Sequence, residues 1–378
     1  MRISIVTETW PPEINGVALT VQALARGLHA LGHGVELVRP RQRDEARIDR
    51  DAFDPVIVPG AGLPRYPGLR FGLPARRRLL RHWARRRPDA LYIATEGPLG
   101  FSALAAARRI GLPACTGFHT RFDDFAAHYG VGFLAPLVFA GLRRFHNRAA
   151  ATLVPTSELA GFLDARGFRN LRLLRRAVDT TLFHPARRDE ALRAAWGVAP
   201  GDLAVIHVGR LAPEKNIELA MRAFDAIRAH HPRARFVVVG DGPARKALSA
   251  AHPHVLFAGM RCGDDLARHY ASGDLFLFPS RSETFGNVTI EALACGLPVV
   301  AFDYGAAREH VRDAAAGARV ALDDDDGFVA AAVRIAGREA AARTPPDRVR
   351  AAVAAIGVAD VAVQFAGLLR SLQPESAA

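Results

Sequence analysis

The feature that most constrains this chain is an alternation that runs through it twice. Short runs of β-branched and aliphatic residues at 3–6, 35–38, 56–58, 91–93, 114–118, 152–154 and 171–174 are separated by turn signals and stretches of helical periodicity. Parallel strands need long crossovers, usually helical, so this pattern predicts βαβ units in a parallel sheet. It lapses at HPARRDEALRAAWGVAPGD, where Pro185, Pro200 and Gly201 bracket what reads as a linker with one short helix. It then restarts at 204–208, 236–239, 255–257, 275–278 and 299–301. The expected architecture is α/β, with two doubly wound parallel-sheet domains facing each other across a cleft. Residues 1–183 form the first domain, 184–200 a linker, 201–350 the second domain, and 351–378 a helical segment and tail. Ligands of such sheets bind beyond the carboxyl ends of strands, so the loops after strands are where chemistry is expected.

Composition excludes other classes. Half the residues are hydrophobic and 23% are charged, which rules out a disordered chain, a collagen-like repeat and a disulfide-stapled miniprotein. The three cysteines, Cys115, Cys262 and Cys295, show no metal-ligand spacing or pairing, and read as reduced, buried residues of a cytoplasmic protein. Thr7, Glu8 and Thr9 interrupt the first apolar run too early for a secretory segment. The longest stretch without Asp, Glu, Lys or Arg, 125–142, contains His128, Gly130, Gly132 and Pro136 and reads as a loop and a buried helix rather than a membrane span.

The net charge of +12 lies wholly in the first half, where residues 1–180 hold 27 arginines, no lysine and 15 acids. A helix over PARRRLLRHWARRRP would set Leu79, Leu80 and Trp83 against a basic face of Arg76, Arg77, Arg78, Arg81, Arg85, Arg86 and Arg87. An anionic membrane surface would attract such a face, whereas nucleic acid is disfavoured because no aromatic platform or reading helix accompanies it. A solvated arginine-rich surface explains the same residues.

Several segments could carry chemistry. In TETWPPEINGVALTVQ a strand ends near Thr7 and Gly16 opens a helix, where backbone amides can approach an anion. GRLAPEKN begins at Gly209 and sets Arg210 and Lys215 across a proline-containing turn. Only Lys215 and Lys246 are lysines among 50 basic residues, so a compact ammonium at 215 suggests a demand for a point charge, as at phosphates. VVVGDGP ends a strand at Gly240, which suits either a nucleotide loop or an ordinary strand-to-helix turn. SETFGNVTIEALACGLPVV places Glu283 in a loop and Glu291 inside the following helix, with Phe285, Gly286 and Asn287 between them. GFHTRFDDF puts His119 just after a strand beside Thr120 and Arg121, while Asp123 and Asp124 are either acceptor-side acids or surface charges. The run 323–326 reads as capping and dipole acids at a helix start.

ETFGNVTIE resembles the E-x7-E signature of the retaining glycosyltransferases of family 4, which have the GT-B fold of two Rossmann-like domains. The likeness extends through GVALTVQALARGLHALGHGVELV, GFHTRFDDF, AVDTTLFHP, GRLAPEKN, VGDGP and ALACGLPVVA, and is strongest toward bacterial mannosyl- and glycolipid glycosyltransferases. It implies that Gly16, Gly209 and Gly240 belong to donor-binding loops, and that Arg210 and Lys215 neutralise the diphosphate. Glu283 would hold the donor sugar hydroxyls, with backbone contacts from Phe285, Gly286 and Asn287, and Glu291 would bind the ribose. Met260 and Arg261 lie where the family holds the base, and His119 would contact the sugar near the reacting carbon. Ala177 departs from the glycine usual in GVD-type motifs.

The implied activity is transfer of a hexose, mannose or glucose, from a GDP- or UDP-linked sugar to a membrane-lipid or glycan acceptor. Two fixed cations suit the negative charge that grows on a leaving diphosphate, so neither a metal nor a cofactor is expected. The resemblance implies retention of configuration and closure of one domain on the other. The expected location is cytoplasmic, peripheral on the inner face of the plasma membrane if the arginines bind lipid. A soluble disaccharide-forming transferase would share the signature. A non-catalytic basic protein binding membrane or nucleic acid would leave Lys215, Glu283 and Glu291 idle.

Overall fold

The computed structural model describes residues 1–13, 15–42, 53–63, 66–119, 135–338 and 344–373. The chain folds as two units: Met1–Ala177 with Val358–Ala378, and Val178–Gly357. In chain order the strands of the first unit are β1 (Arg2–Val6), β2 (Gly34–Pro40), β3 (Asp54–Val58), β4 (Gly60–Leu63), β5 (Tyr66–Gly72), β6 (Ala90–Ile93), β7 (Ala114–Gly117), β8 (Ala151–Val154) and β9 (Leu171–Leu173). Seven of them form one parallel sheet in the order β3-β2-β1-β6-β7-β8-β9, and β4 and β5 make a separate antiparallel hairpin that the periodicity did not predict. The second unit has β10 (Ala204–Val208), β11 (Arg235–Val239), β12 (Leu256–Gly259), β13 (Leu275–Phe278), β14 (Val299–Phe302) and β15 (Gly317–Val320). Their order is β12-β11-β10-β13-β14-β15, all parallel. Both units are Rossmann-like, and strand order reverses beside β1 and β10, where a crevice opens at the carboxyl edge.

The sheets form because their strands are apolar on both faces. Each residue of β6, β10 and β13 is buried, as expected of parallel strands covered by helices on either side. In the second unit Phe224, Ile227, Phe236, Leu277, Phe302 and Phe328 share one core cluster.

The boundaries differ from the expected ones in two places. The stretch 184–200 is a folded part of the second unit. Asp189 caps the helix Glu190–Ala195, and the Arg193 guanidinium, 2% exposed, donates to Ser272 O at 2.7 Å, Asp274 Oδ2 at 3.0 Å and Asp202 O at 2.9 Å. Pro and Gly there mark turns, and a buried guanidinium fixes the segment because breaking such a pairing leaves a charge uncompensated. The helix Val358–Ser371, expected as a separate terminal segment, belongs to the first unit and packs on the helix Gly16–Ala30. Gly27 permits that approach, since a Cβ there would lie 2.6 Å from Ala362 Cβ.

The basic helix spans Arg76–Arg85, with Leu79 and Trp83 fully buried and all seven named arginines exposed. It is anchored by buried Glu36, which accepts from Trp83 Nε1 at 3.2 Å, pairs with His82 Nε2 at 2.6 Å and accepts from Ser4 Oγ at 2.8 Å. Arg87 donates to the carbonyls of Ile110 and Gly111, so it closes the end of the helix Pro98–Arg109. Two further expectations are corrected. Cys262 is exposed while Cys115 and Cys295 are buried, because Cys262 stands outside the helix it precedes. The helix Ala135–His146 is not wholly buried, since Leu137 and Val138 in its first turn are exposed while Leu142 and Phe145 nearer its end are buried. No described helix is long and apolar enough to cross a membrane.

Candidate functional site

In the second unit the topological switch point brings two loops together. The loop after β10 runs through Gly209 and Arg210 into a 3-10 turn, Pro213–Lys215. Asn216 then adopts the left-handed conformation (φ 51°, ψ 43°) and starts the helix Ile217–His230. Asparagine tolerates that geometry better than most residues, so the turn before the helix leaves Lys215 at the strand edge. The loop after β13 lies against it. The Arg281 amide donates to Glu214 O at 3.1 Å, and Lys215 Nζ meets Glu283 Oε1 at 2.5 Å. Glu283 also accepts from Ser280 Oγ at 3.0 Å, and Arg210 is paired with Glu214. Beneath this loop lies His207, whose Nδ1 donates to Leu277 O at 2.9 Å. Burial, then the Lys215 charge, bring its pKa down to about 4, so the ring is neutral.

The glycines explain how the loops approach. Gly240, at φ 135°, lies against the backbone of Gly209: a Cβ would meet Gly209 O at 1.9 Å. Gly242 does the same against Leu211 O at 2.3 Å. The Gly209 amide donates to Val239 O, that of Leu211 to Asp241 O and that of Ala244 to Leu211 O. The VGDGP segment is therefore a backbone-on-backbone support for the GRLAPEKN loop. Gly305 plays a similar part beside Phe285, whose carbonyl accepts from the Ala306 amide at 2.6 Å.

Glu291 sits in the helix Asn287–Ala294, as expected, with Glu283 in the loop before it. Gly286 opens this helix at φ 93°, and no side chain caps it. Tyr270 Oη donates to Glu291 Oε2 at 2.9 Å, and burial raises the carboxyl pKa to about 7 against the Tyr270 hydrogen bond, which lowers it. A carboxylate held at that expense, with one neutral partner, is a common mark of a functional group. The enclosed phenol of Tyr270 is in turn pushed well above its ordinary value by burial and by Glu291.

Met260 and Arg261 follow β12 at the same carboxyl edge, tied to the neighbouring strand by the Gly240 amide donating to Gly259 O at 2.8 Å. Met260 is 53% exposed, and Arg261 is held by Ala258 O and Asp265. The structure thus joins Gly209, Lys215, Gly240 and Glu283 into one cluster around the β10 switch point. Glu291 has its own partner, and Met260 and Arg261 stand further along the edge.

In the first unit, His119 follows β7 and its Nε2 lies 2.7 Å from Tyr92 Oη. Its Nδ1 is enclosed without a partner among the described residues, and burial and the Arg176 charge hold its pKa well below the ordinary value. Gly117 makes room for it, since a Cβ there would lie 2.5 Å from His119 Nε2. Tyr92 is braced by Phe365 of the terminal helix at 5.0 Å between rings. Gly16 opens its helix as expected, but Asn15 caps it: Oδ1 accepts from the Val17 amide at 3.1 Å and the Ala18 amide at 2.8 Å. Those two amides are therefore engaged, and of the two helix starts it is the one at Gly286 that lacks a side-chain cap. Thr120, Arg121, Asp123 and Asp124 lie outside the described residues. Sequence reasoning passed over Tyr92, Arg176 and Tyr270, which lie outside the site motifs read from the sequence, and over Gly117 and Ser280, which stand at or just ahead of the start of two of them. The ING and GDG strings were the available signals for Asn15 and Gly242.

Known proteins resemble the chain along most of its length. Residues 14–182 match the family model described as Glycosyltransferase Family 4, and residues 202–338 that described as Glycosyl transferases group 1. A GDP-mannose-dependent alpha-mannosyltransferase of Mycobacterium tuberculosis is 36% identical over 82% of this chain and 81% of its own. An alpha-monoglucosyldiacylglycerol synthase of Streptococcus pneumoniae is 26% identical over 80% of this chain and 71% of its own. In fold, a sucrose-phosphate synthase of Thermosynechococcus elongatus matches with a TM-score of 0.74 at 20% identity, over 98% of each chain.

Proposed function

Because this chain belongs to glycosyltransferase family 4 and is a hexosyltransferase of that family, we propose that its donor is GDP-mannose and its acceptor a glycolipid. The observation that carries the reading is the Lys215–Glu283 pair at the β10 switch point. An ammonium and a carboxylate side by side serve the two ends of a sugar diphosphate. Lys215, with Arg210 on the same loop, takes the negative charge that grows on the leaving diphosphate. Glu283 accepts hydrogen bonds from the sugar hydroxyls and so fixes the sugar over that charge. The uncapped amides at Gly286 and Asn287 are a second place for a phosphate. Glu291, steadied by Tyr270, accepts from the ribose hydroxyls.

Bond cleavage between sugar and diphosphate places a full charge on the leaving oxygen. Fixed donors at such a position contribute about 2.7–4 kcal/mol each. The assigned stereochemistry is retention, with the acceptor hydroxyl attacking on the face the diphosphate leaves and passing its proton to the leaving phosphate oxygen. No metal or cofactor is assigned a part. The choice of mannose and of GDP rests on relatives named as GDP-mannose-dependent at 34–36% identity. The acceptor class rests on others whose names carry phosphatidylinositol dimannoside and monoglucosyldiacylglycerol. The exposed arginines of the Arg76–Arg85 helix supply a cationic face for an anionic lipid surface.

The test is calorimetric titration of GDP and UDP into the protein with chelator present, for wild type and Lys215→Ala, followed by transfer assays on lipid acceptors. Tight binding of GDP over UDP, weakened by the substitution, supports the reading. UDP preference overturns the donor, and transfer to free sugars alone overturns the acceptor. Failure of anionic liposomes to retain the protein at low salt removes the membrane face.

A further inference from the structure

On the second unit, away from the residues assigned to the donor, two histidines and two carboxylates converge. Glu218 and Asp225 lie seven residues apart on the helix Ile217–His230, which is two turns and therefore one face. His252 and His254 come from the connection between the helix Arg245–Ala251 and β12, with Pro253 stiffening the segment between them. One ligand atom each from Asp225, His252 and His254 falls within 4.8 Å of the others. His254 Nε2 is 3.3 Å from Asp225 Oδ1. That is close to the edge of a tetrahedron with metal–ligand bonds of about 2.0–2.1 Å.

We propose that Asp225, His252 and His254 form a binding site for a first-row divalent transition metal, zinc above all. Two imidazoles and one carboxylate suit zinc, cobalt or nickel and are poor ligands for magnesium or calcium, which favour oxygen. The surrounding contacts have the character of an outer shell. Glu218 Oε2 lies 3.1 Å from His252 Nε2, a carboxylate beside a ligand imidazole of the kind that fixes ring orientation. The His254 ring is stacked on Phe224, with 6.3 Å between centroids and 18° between planes. One group opposes the ion: Arg228 lies 3.5 Å from Asp225 Oδ1. It is half-exposed, so the ion displaces it toward solvent. Asp225 and His254 are exposed, which leaves water to supply the fourth ligand.

The ion would clamp the helix to the segment entering β12. His254 precedes that strand while Met260 and Arg261 follow it, so the clamp stands at the opposite end of β12 from those two residues. The site depends neither on the glycosyl-transfer reading nor on the arrangement of the two units.

Chelator-stripped full-length protein is titrated with Zn2+ by calorimetry and with Co2+ by visible absorption. One ion per chain is expected, with the absorption of tetrahedral cobalt. His252→Ala, His254→Ala and Asp225→Asn each weaken zinc by about tenfold or more. Cys262→Ser leaves affinity unchanged, and Arg228→Ala strengthens it. All five positions are partly or fully exposed, and circular dichroism checks that the variants are folded. Absence of one-to-one binding, or equal affinity in wild type and His254→Ala, overturns the proposal.

Discussion

Replacing Glu291 by glutamine tests the reasoning about the donor site through stability, without any substrate. The carboxyl is enclosed and its pKa stands at about 7 against an ordinary 4.5, with burial as the leading cause. Above pH 7 the group is charged in both the folded and unfolded chains, and the folded chain bears the desolvation. Between about pH 7 and 4.5 the folded chain takes up the proton first, so this group's contribution to stability rises as pH falls and is complete below 4.5. The span of roughly 2.5 pKa units corresponds to about 3 kcal/mol. Glutamine keeps an acceptor for the Tyr270 hydroxyl and carries no charge. Glu291→Gln is therefore expected to stabilise the protein by about 1–3 kcal/mol at pH 8.5 and by almost nothing at pH 4.5. At about 2–4 °C per kcal/mol for a domain of this size, thermal melts of both proteins across pH resolve the difference. A variant less stable than wild type at pH 8.5, or a difference that ignores pH, would refute the argument. The same variant should bind nucleotide more weakly, since the proposed reading gives Glu291 to the ribose hydroxyls. Greater stability with weaker binding is what a group kept for function produces.

Lys215→Ala should lower kcat by about 100-fold or more, read in steady-state transfer assays, because the proposed reading sets that cation against the leaving diphosphate. Gly240→Ala should destabilise by about 3 kcal/mol or more, since its Cβ would strike the Gly209 carbonyl and its φ is 135°. Gly161→Ala, in the helix Ser157–Asp164 with open space around it, should instead stabilise by about 0.5–1 kcal/mol, and urea titrations separate the two. Arg193→Ala should cost about 1–3 kcal/mol in the same titrations, because the carbonyls of Ser272 and Asp202 lose their enclosed donor and Asp274 keeps only Arg188 and the Ala204 amide. A cost near zero would restore 184–200 to the status of a linker.

Much of the fold was legible because its strands are buried on both faces. An apolar run such as Ala204–Val208 can be placed from composition alone, and the helix-length gaps around it imply parallel pairing. The β4–β5 hairpin and β15 were not legible. GAGL and YPGLRFG are glycine-rich and short of β-branched residues, and Gly317–Val320 is a four-residue edge strand beginning in glycine. The site was legible where one motif carries both partners. The spacing of Glu283 and Glu291 placed one in a loop and one in a helix, as the structure has them. Their partners were not, because Tyr270 lies 21 residues from Glu291 and Lys215 lies 68 from Glu283.

What this sequence determined by itself was local: which runs become strands, where helices begin, and which side chains stand at the carboxyl edge. Those follow from burial periodicity and turn chemistry, which act over a few residues. Tertiary structure decided what each group touches. It paired Lys215 with Glu283, enclosed Glu291 against Tyr270, packed Gly240 on the backbone of Gly209, and drew the terminal helix back behind Tyr92. Contacts of that kind depend on strand order, and strand order comes from packing helices on both faces of a twisted sheet, which no window along the chain contains.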